Sequence, residues 1–296
     1  MVNMKLGSVV SVLRRRGFEV EAEGDNRQLF TSFELWNQVS NSKLVTAREI
    51  FGKKSFRKLS LHITSNPKGA LISDLEKTSG GETCDYLDLL KVLNVIEISD
   101  SKVKLIRSVD NIGPTLEWYV TYACTTKFDG SAAWSVKLAE VPYGDFDVLA
   151  WLPPTLLYVE TKSSRPEEIE DTKIKHFLQR GVELAPDLAI LLVDTDDDLE
   201  ESGFLHKIYG LMLPTIAPGD QTRLADFADP SKLFINPQKG YPGISFGYRR
   251  FYVTNSKPSI EAQIRKCLRH FNARVKDAIF IGGPPLNFVT GEIEDF

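Results

Sequence analysis

Two short runs carry side chains whose types and spacing could do chemistry together: G-D-F-D-V-L-A, from Gly144 to Ala150, and T-L-L-Y-V-E-T-K, from Thr155 to Lys162. Read as strands, the first places Asp145, Asp147 and Leu149 on one face and Phe146, Val148 and Ala150 on the other. In the second, Glu160 and Lys162 share a face and Thr161 points opposite. The Pro153-Pro154 turn between them is short enough for the strands to pair, which brings Asp147 beside Glu160. Neighbouring carboxylates repel, and burying them is costly unless a cation neutralises them. A divalent ion does so: Mg²⁺, or Mn²⁺ in its place, prefers oxygen ligands and keeps positions open for water and phosphate. Such an ion lowers the pKa of water and, with the Lys162 ammonium, stabilises charge developing on phosphorus. Lys162 could also orient or deprotonate the attacking water. The chemistry expected is hydrolysis of a phosphodiester bond.

The elements that must position these groups follow from periodicity. Asn111-Ile112-Gly113-Pro114 punctuates the chain, with Pro114 suited to a first helical turn. The helix T-L-E-W-Y-V-T-Y-A-C then sets Glu117 on a face with Val120 and Cys124, looking inward. Strands are expected over Ala133–Ala139, Gly144–Trp151 and Thr155–Thr161, followed by a helix from Pro166 to Leu184. A-I-L-L-V-D-T is apolar enough for a buried central strand. Later, R-R-F-Y-V-T-N-S reads as a strand and I-E-A-Q-I-R-K-C-L-R-H-F as an amphipathic helix. The expected fold class is α/β, a mixed sheet flanked by helices.

In this order, a helix with Glu117, a strand with Asp147, and a strand with Glu160-Thr161-Lys162 before a helix and buried strand, the chain resembles the PD-(D/E)XK, or restriction-endonuclease-like, nuclease superfamily. The resemblance covers roughly residues 113–195 and resumes near 249–271. It implies cleavage of DNA, less often RNA, with Mg²⁺ held by Asp147, Glu160, the Thr161 carbonyl and Glu117, and with Lys162 assisting the water. Phe146 stands where the family often has proline. E-x-K alone is a weak signal, because solvated strands often carry that pair. Asp147 thirteen residues upstream of Glu160, the apolar approach T-L-L-Y-V and Glu117 make it specific. Asp145 stays a rival for the role of Asp147, which is preferred because Val148-Leu149-Ala150 runs directly from it into the core.

Residues 1–112 read as a separate, mainly helical N-terminal domain, and residues 113–296 as the catalytic one. Lys5–Arg16 is expected to be a helix, and F-E-V-E-A-E-G-D-N-R-Q-L-F-T-S-F a hairpin around Gly24-Asp25-Asn26. A basic helix is expected over Ala47–Ser60. From Ala70 to Ser108 the order helix, turn, helix, small hairpin resembles the winged-helix family, whose second helix enters a DNA groove. That helix carries Glu82, Asp85 and Asp88 against Lys91, an acidic composition for a groove reader.

Formal net charge is −4, so the whole molecule is not an electrostatic trap for nucleic acid. Between Lys43 and Lys68, however, seven basic residues face only Glu49, which suggests one basic contact surface. D-T-D-D-D-L-E-E, from Asp194 to Glu201, reads as a solvated loop of like charge. At 42% hydrophobic and 26% charged the chain can bury a core without staples. Its three cysteines lack paired spacing, which points to a reducing, cytoplasmic setting. No run is apolar enough to span a membrane, and the first residues read as an amphipathic helix, not a leader. His62, His176, His206 and His270 lack metal-ligand spacing. Lys173, His176, Gln179 and Arg180, on successive turns after the lysine, read as a solvated face or a phosphate contact. Arg249 and Arg250, among aromatics, read as core strand or stacking surface. No P-loop is present.

The expected activity is therefore a Mg²⁺-dependent endonuclease acting on nucleic acid, with DNA the leading substrate and a homodimer favoured if both strands are cut. The alternatives are a winged-helix nucleic-acid-binding regulator that no longer cuts, and a scaffolding subunit of a larger complex.

Overall fold

A helix of seven residues, α1 (Val9–Arg15), buries Val9, Val12 and Leu13, and the Ser8 hydroxyl caps it by accepting from the Ser11 N–H. The computed structural model to which it belongs describes residues 8–24, 49–106, 112–199, 201–216, 246–248 and 250–280. After β1 (Val20–Ala22) come α2 (Lys54–Thr64), β2 (Ala70–Leu71), α3 (Ile72–Ser79), α4 (Thr83–Val92), β3 (Ile96–Ser99) and β4 (Lys102–Leu105). The rest is α5 (Gly113–Thr126), β5 (Ser131–Leu138), β6 (Phe146–Leu152), β7 (Thr155–Lys162), α6 (Asp171–Leu184), β8 (Leu188–Val193), α7 (Phe204–Ile216), β9 (Phe246–Tyr248), β10 (Phe251–Asn255) and α8 (Ile260–Phe280).

Seven strands form one mixed sheet in the order β1-β5-β6-β7-β8-β10-β9. β5, β6 and β7 are antiparallel neighbours, and β7, β8 and β10 are parallel. Parallel neighbours need a crossover, and α6 supplies it between β7 and β8. Because helices cover both faces, β8 is buried along its whole length, as its unbroken apolar run requires. On one face Val148, Ala150, Leu157 and Val159 pack with Trp118 and Val120 of α5 and Ile260, Ile264 and Cys267 of α8. On the other, Leu149, Leu156 and Tyr158 pack with Val12 and Leu13 of α1 and Ile174 and Phe177 of α6.

The alternation expected along G-D-F-D-V-L-A breaks at Asp147. Phe146 lies in the same cluster as Leu149, whereas Val148 lies on the opposite face. The neighbouring strand makes the same change, with Trp134 on one face and Val136 on the other. Pairing continues across the break, Trp134 with Val148 and Val136 with Phe146, so no residue is inserted. Between them Ser135 has φ of 47°, in the left-handed region that L-residues enter at a cost. The local flip in β5 lets β6 flip beside it and frees Asp147 from the strict in-out pattern.

Residues 49–106 form three helices beside a three-stranded antiparallel sheet ordered β2-β4-β3. Their core is continuous with the α5 face of the large sheet, since Phe51, Phe56, Leu59 and Tyr86 join the cluster that holds Trp118 and Val159. Several expectations change. β1 pairs with β5, Val20 opposite Leu138, so the first strand joins the sheet assigned to residues after 112. The hairpin's second run, together with Lys43, Arg48 and Arg249, lies outside the described residues. The expected basic helix is interrupted: Glu49 and Ile50 are helical, the chain turns at Phe51-Gly52-Lys53, where the Arg57 guanidinium donates to the carbonyls of Phe51 and Gly52, and α2 begins at Lys54.

The basic and acidic runs also find each other. Arg57 pairs with Asp194 through two nitrogens at 2.8 and 2.9 Å, while Lys54 and Lys58 reach Asp196 at 2.9 and 3.2 Å. Lys53 pairs with Glu82 of α4. Most of the described part of the expected basic surface is thus neutralised within the chain, and Asp194 is no solvated loop residue. No helix among the described residues is long and apolar enough to cross a membrane.

Candidate active site

The β6–β7 ladder ends at Val148 opposite Val159. Extending that register sets Asp147 against Glu160, the juxtaposition expected from the sequence. Beyond the last pair, side chains replace the missing backbone bonds. Asp147 Oδ2 accepts from the Thr161 N–H at 2.7 Å and from the Thr161 hydroxyl at 3.1 Å. Lys162 donates to Glu160 Oε1 at 2.7 Å, and its ammonium stands 3.9 Å from Asp147 Oδ2. Three of the residues singled out by spacing therefore share one cluster, with the lysine between two carboxylates. Asp145 is exposed, and its side chain meets the Ser135 hydroxyl at 3.4 Å, so the geometry favours Asp147 over its rival.

Glu160 is 2% exposed and carries more partners than the sequence suggested. Its Oε2 accepts from Arg180 at 2.6 Å and from the Tyr158 hydroxyl at 2.5 Å. Burial pushes its carboxyl up, but Lys162 and Arg180 outweigh that and hold it below its ordinary pKa. Asp147 is held up to about 6, first by burial and then by the charge of Glu160. Glu117, from the first half of α5, is pushed up to about 9 by burial and by the charges of Asp147 and Glu160. Among the described residues Glu117 has no hydrogen-bond partner to offset this. Lys162 stays protonated: burial works against its charge, and Glu160 and Asp147 more than restore it.

Three carboxyl groups feel one another here against two buried cations, and the group stays neutral only because Glu117 keeps its proton until about 9. Hard oxygen donors suit a divalent cation better than a soft metal. Among the described residues no three His, Cys, Asp or Glu side chains converge as a ready metal cage. The close pair is Asp147 and Glu160, with Glu117 coupled to it through its charge. None of the four histidines takes part in this cluster; His270, for example, is buried against the Tyr252 hydroxyl at 2.7 Å.

Arg180 and Tyr158 were not singled out as site residues by sequence reasoning. Arg180 stands among Lys173, His176 and Gln179 on successive helical turns, yet Lys173 and His176 are exposed while Arg180 is buried. The available signal was its place in the apolar stripe of α6, with Phe177 one turn before it. Tyr158 lies inside an apolar strand run, where its hydroxyl requires a polar partner that Glu160 provides. Comparison with protein-family models, curated proteins and solved structures finds no match to this chain.

Proposed function

We propose that this chain is a divalent-metal-dependent nuclease that hydrolyses phosphodiester bonds in nucleic acid, with DNA the leading substrate. The observation that carries this reading is the Lys162 ammonium, 2.7 Å from Glu160 and 3.9 Å from Asp147 where two strands part. A structural ion pair needs one carboxylate; a second, with its pKa raised and a third nearby, is a cost to stability that chemistry would explain. Asp147, Glu160 and the Thr161 carbonyl would hold Mg²⁺ or Mn²⁺, with Glu117 as a further oxygen donor. When bound, that ion would supply an activated water and charge stabilisation at phosphorus.

The protein's own groups have separate tasks. Lys162, kept cationic by its two carboxylates, can bind a phosphate oxygen or hold the attacking water in line. Thr161 fixes the Asp147 carboxylate through its N–H and hydroxyl, leaving Asp147 Oδ1 as the free oxygen. The order of elements around this group supports the PD-(D/E)XK resemblance, and the helices with their three-stranded sheet support a winged-helix-like partner region.

Asp147→Ala and Lys162→Ala should each abolish Mg²⁺-dependent cleavage of plasmid and single-stranded substrates, with unchanged circular dichroism. A loss of at least about 100-fold is expected for groups acting on the reacting atoms. Full cleavage by both variants would exclude the reading. Tight DNA binding without Mn²⁺ binding would instead favour the non-cleaving regulator.

A further inference from the structure

The strands carrying Asp147 and Glu160 stop pairing at Val148 and Val159, one residue before either carboxylate. Two like charges beyond the end of a ladder should splay apart, unless something other than the backbone ties them. One tie is the Thr161 N–H to Asp147, and a second is the Lys162 ammonium between the two acids. A third comes from α6. Arg180 Nη2 donates to Glu160 Oε2 at 2.6 Å, while Nη1 donates to the Asp145 carbonyl and lies 3.4 Å from that of Tyr143. One planar guanidinium therefore grips both the chain leading into β6 and the glutamate of β7. The rings of Phe146 and Tyr158 lie 5.8 and 5.9 Å from its centre, and the Tyr158 hydroxyl shares the same glutamate oxygen.

Burial separates this role from substrate binding. Arg180 is 6% exposed, so it is not presented to a phosphate arriving from solvent. Its Nε has no acceptor among the described residues, a cost that a network built for stability alone would tend to avoid. Lysine could replace the charge but not the fork, because a single ammonium is a point donor. With Oε2 engaged twice, Oε1 is the Glu160 oxygen left on the Lys162 side.

We propose that Arg180, helped by Tyr158, is a positioning residue that ties the Asp145–Asp147 segment to Glu160 beyond the end of the ladder and so presets both carboxylates for a divalent ion. The role rests on the metal-dependent reading given above. Its test is a titration of Mn²⁺ by the electron paramagnetic resonance of the free ion, on the wild type, Arg180→Lys and Tyr158→Phe, with thermal unfolding followed in parallel. Arg180→Lys, folded, should bind Mn²⁺ about 10–100-fold more weakly, the usual effect of losing an outer partner of a metal ligand. Tyr158→Phe keeps the charge and should lose less, about threefold to tenfold. A folded Arg180→Lys with wild-type Mn²⁺ affinity overturns the role, whatever its thermal stability. If that variant does not fold, Tyr158→Phe decides: unchanged affinity overturns the role and weakened affinity supports it. Wild-type protein that binds no Mn²⁺ overturns the metal reading itself and this role with it, so the two failures are distinguishable.

Discussion

Glu117 bears the clearest electrostatic tension in the molecule, because burial and the charges of Asp147 and Glu160 all oppose its ionisation. An unfolded chain releases this proton near 4.5, whereas the folded one holds it to about 9. Between those values the folded state binds more protons, so stability falls as pH rises through the window. Asp147 adds a smaller fall between 3.8 and about 6. Glu117→Gln removes the larger part. It should stabilise the ion-free protein at pH 8 by roughly 1–3 kcal/mol and flatten the slope of stability above pH 6. Thermal unfolding across pH in a chelating buffer measures both, and a slope unchanged by the substitution would show that the folded protein does not feel the crowding. At this scale Asp147, Glu160 and Lys162 were legible because their spacing along two strands brings them together. Arg180 was not, because its partners are a carbonyl 35 residues away and a carboxylate 20 away. Helical periodicity marks which face an arginine is on, not whether a buried acid waits there.

Among the elements, β5 and β6 set the site by exchanging faces together at Ser135 and Asp147. The left-handed φ of 47° at Ser135 costs an L-residue about 1–2 kcal/mol. Ser135→Gly should therefore stabilise the protein by about 0.5–1 kcal/mol, after the greater freedom of glycine in the unfolded chain is offset. Ser135→Val, β-branched and hostile to positive φ, should cost about 2 kcal/mol and weaken cleavage with it. Urea unfolding of the two variants tests this; equal stability would mean that the flip carries no strain. Strand periodicity located β5, β6, β7 and β8 but could not foresee the flip, because serine does not announce a left-handed position as glycine or asparagine would. The helix α7 went unread for a related reason: Gly210 and Pro214 interrupt its apolar pattern.

At the scale of the whole molecule, the helical region of residues 49–106 is fastened to the end of the sheet that carries Glu160 and Lys162. The Arg57 and Asp194 side chains are 4% and 9% exposed, and the Asp194 N–H donates to the Lys162 carbonyl at 2.7 Å. Removing one member strands the other in a dry site. Arg57→Met should cost about 3–5 kcal/mol, little relieved by salt, with reduced cleavage because the backbone of Lys162 loses a fixed neighbour. Urea denaturation at low and high ionic strength checks the first part, and a loss below about 1 kcal/mol would show the pair to be ornamental. The two oppositely charged runs were each visible in the sequence. Their union was not, because more than 130 residues separate Arg57 from Asp194 and composition is blind to distance.

The pairing of β1 with β5 also orders events in time. During synthesis Val20 leaves the ribosome well before its partner Leu138 exists, and the Val9 N–H waits for a hydroxyl 122 residues later. Until then α1 and β1 have no sheet to join, and once β5 is made its outer edge stays open to any extended segment nearby. A neighbouring copy of the same chain, arriving first on a crowded polysome, could lend its own β1 and produce an exchanged pair. A slow-translating stretch in the message before β5 would leave the first strand loose for longer. One after it would give the chain time to close its own edge.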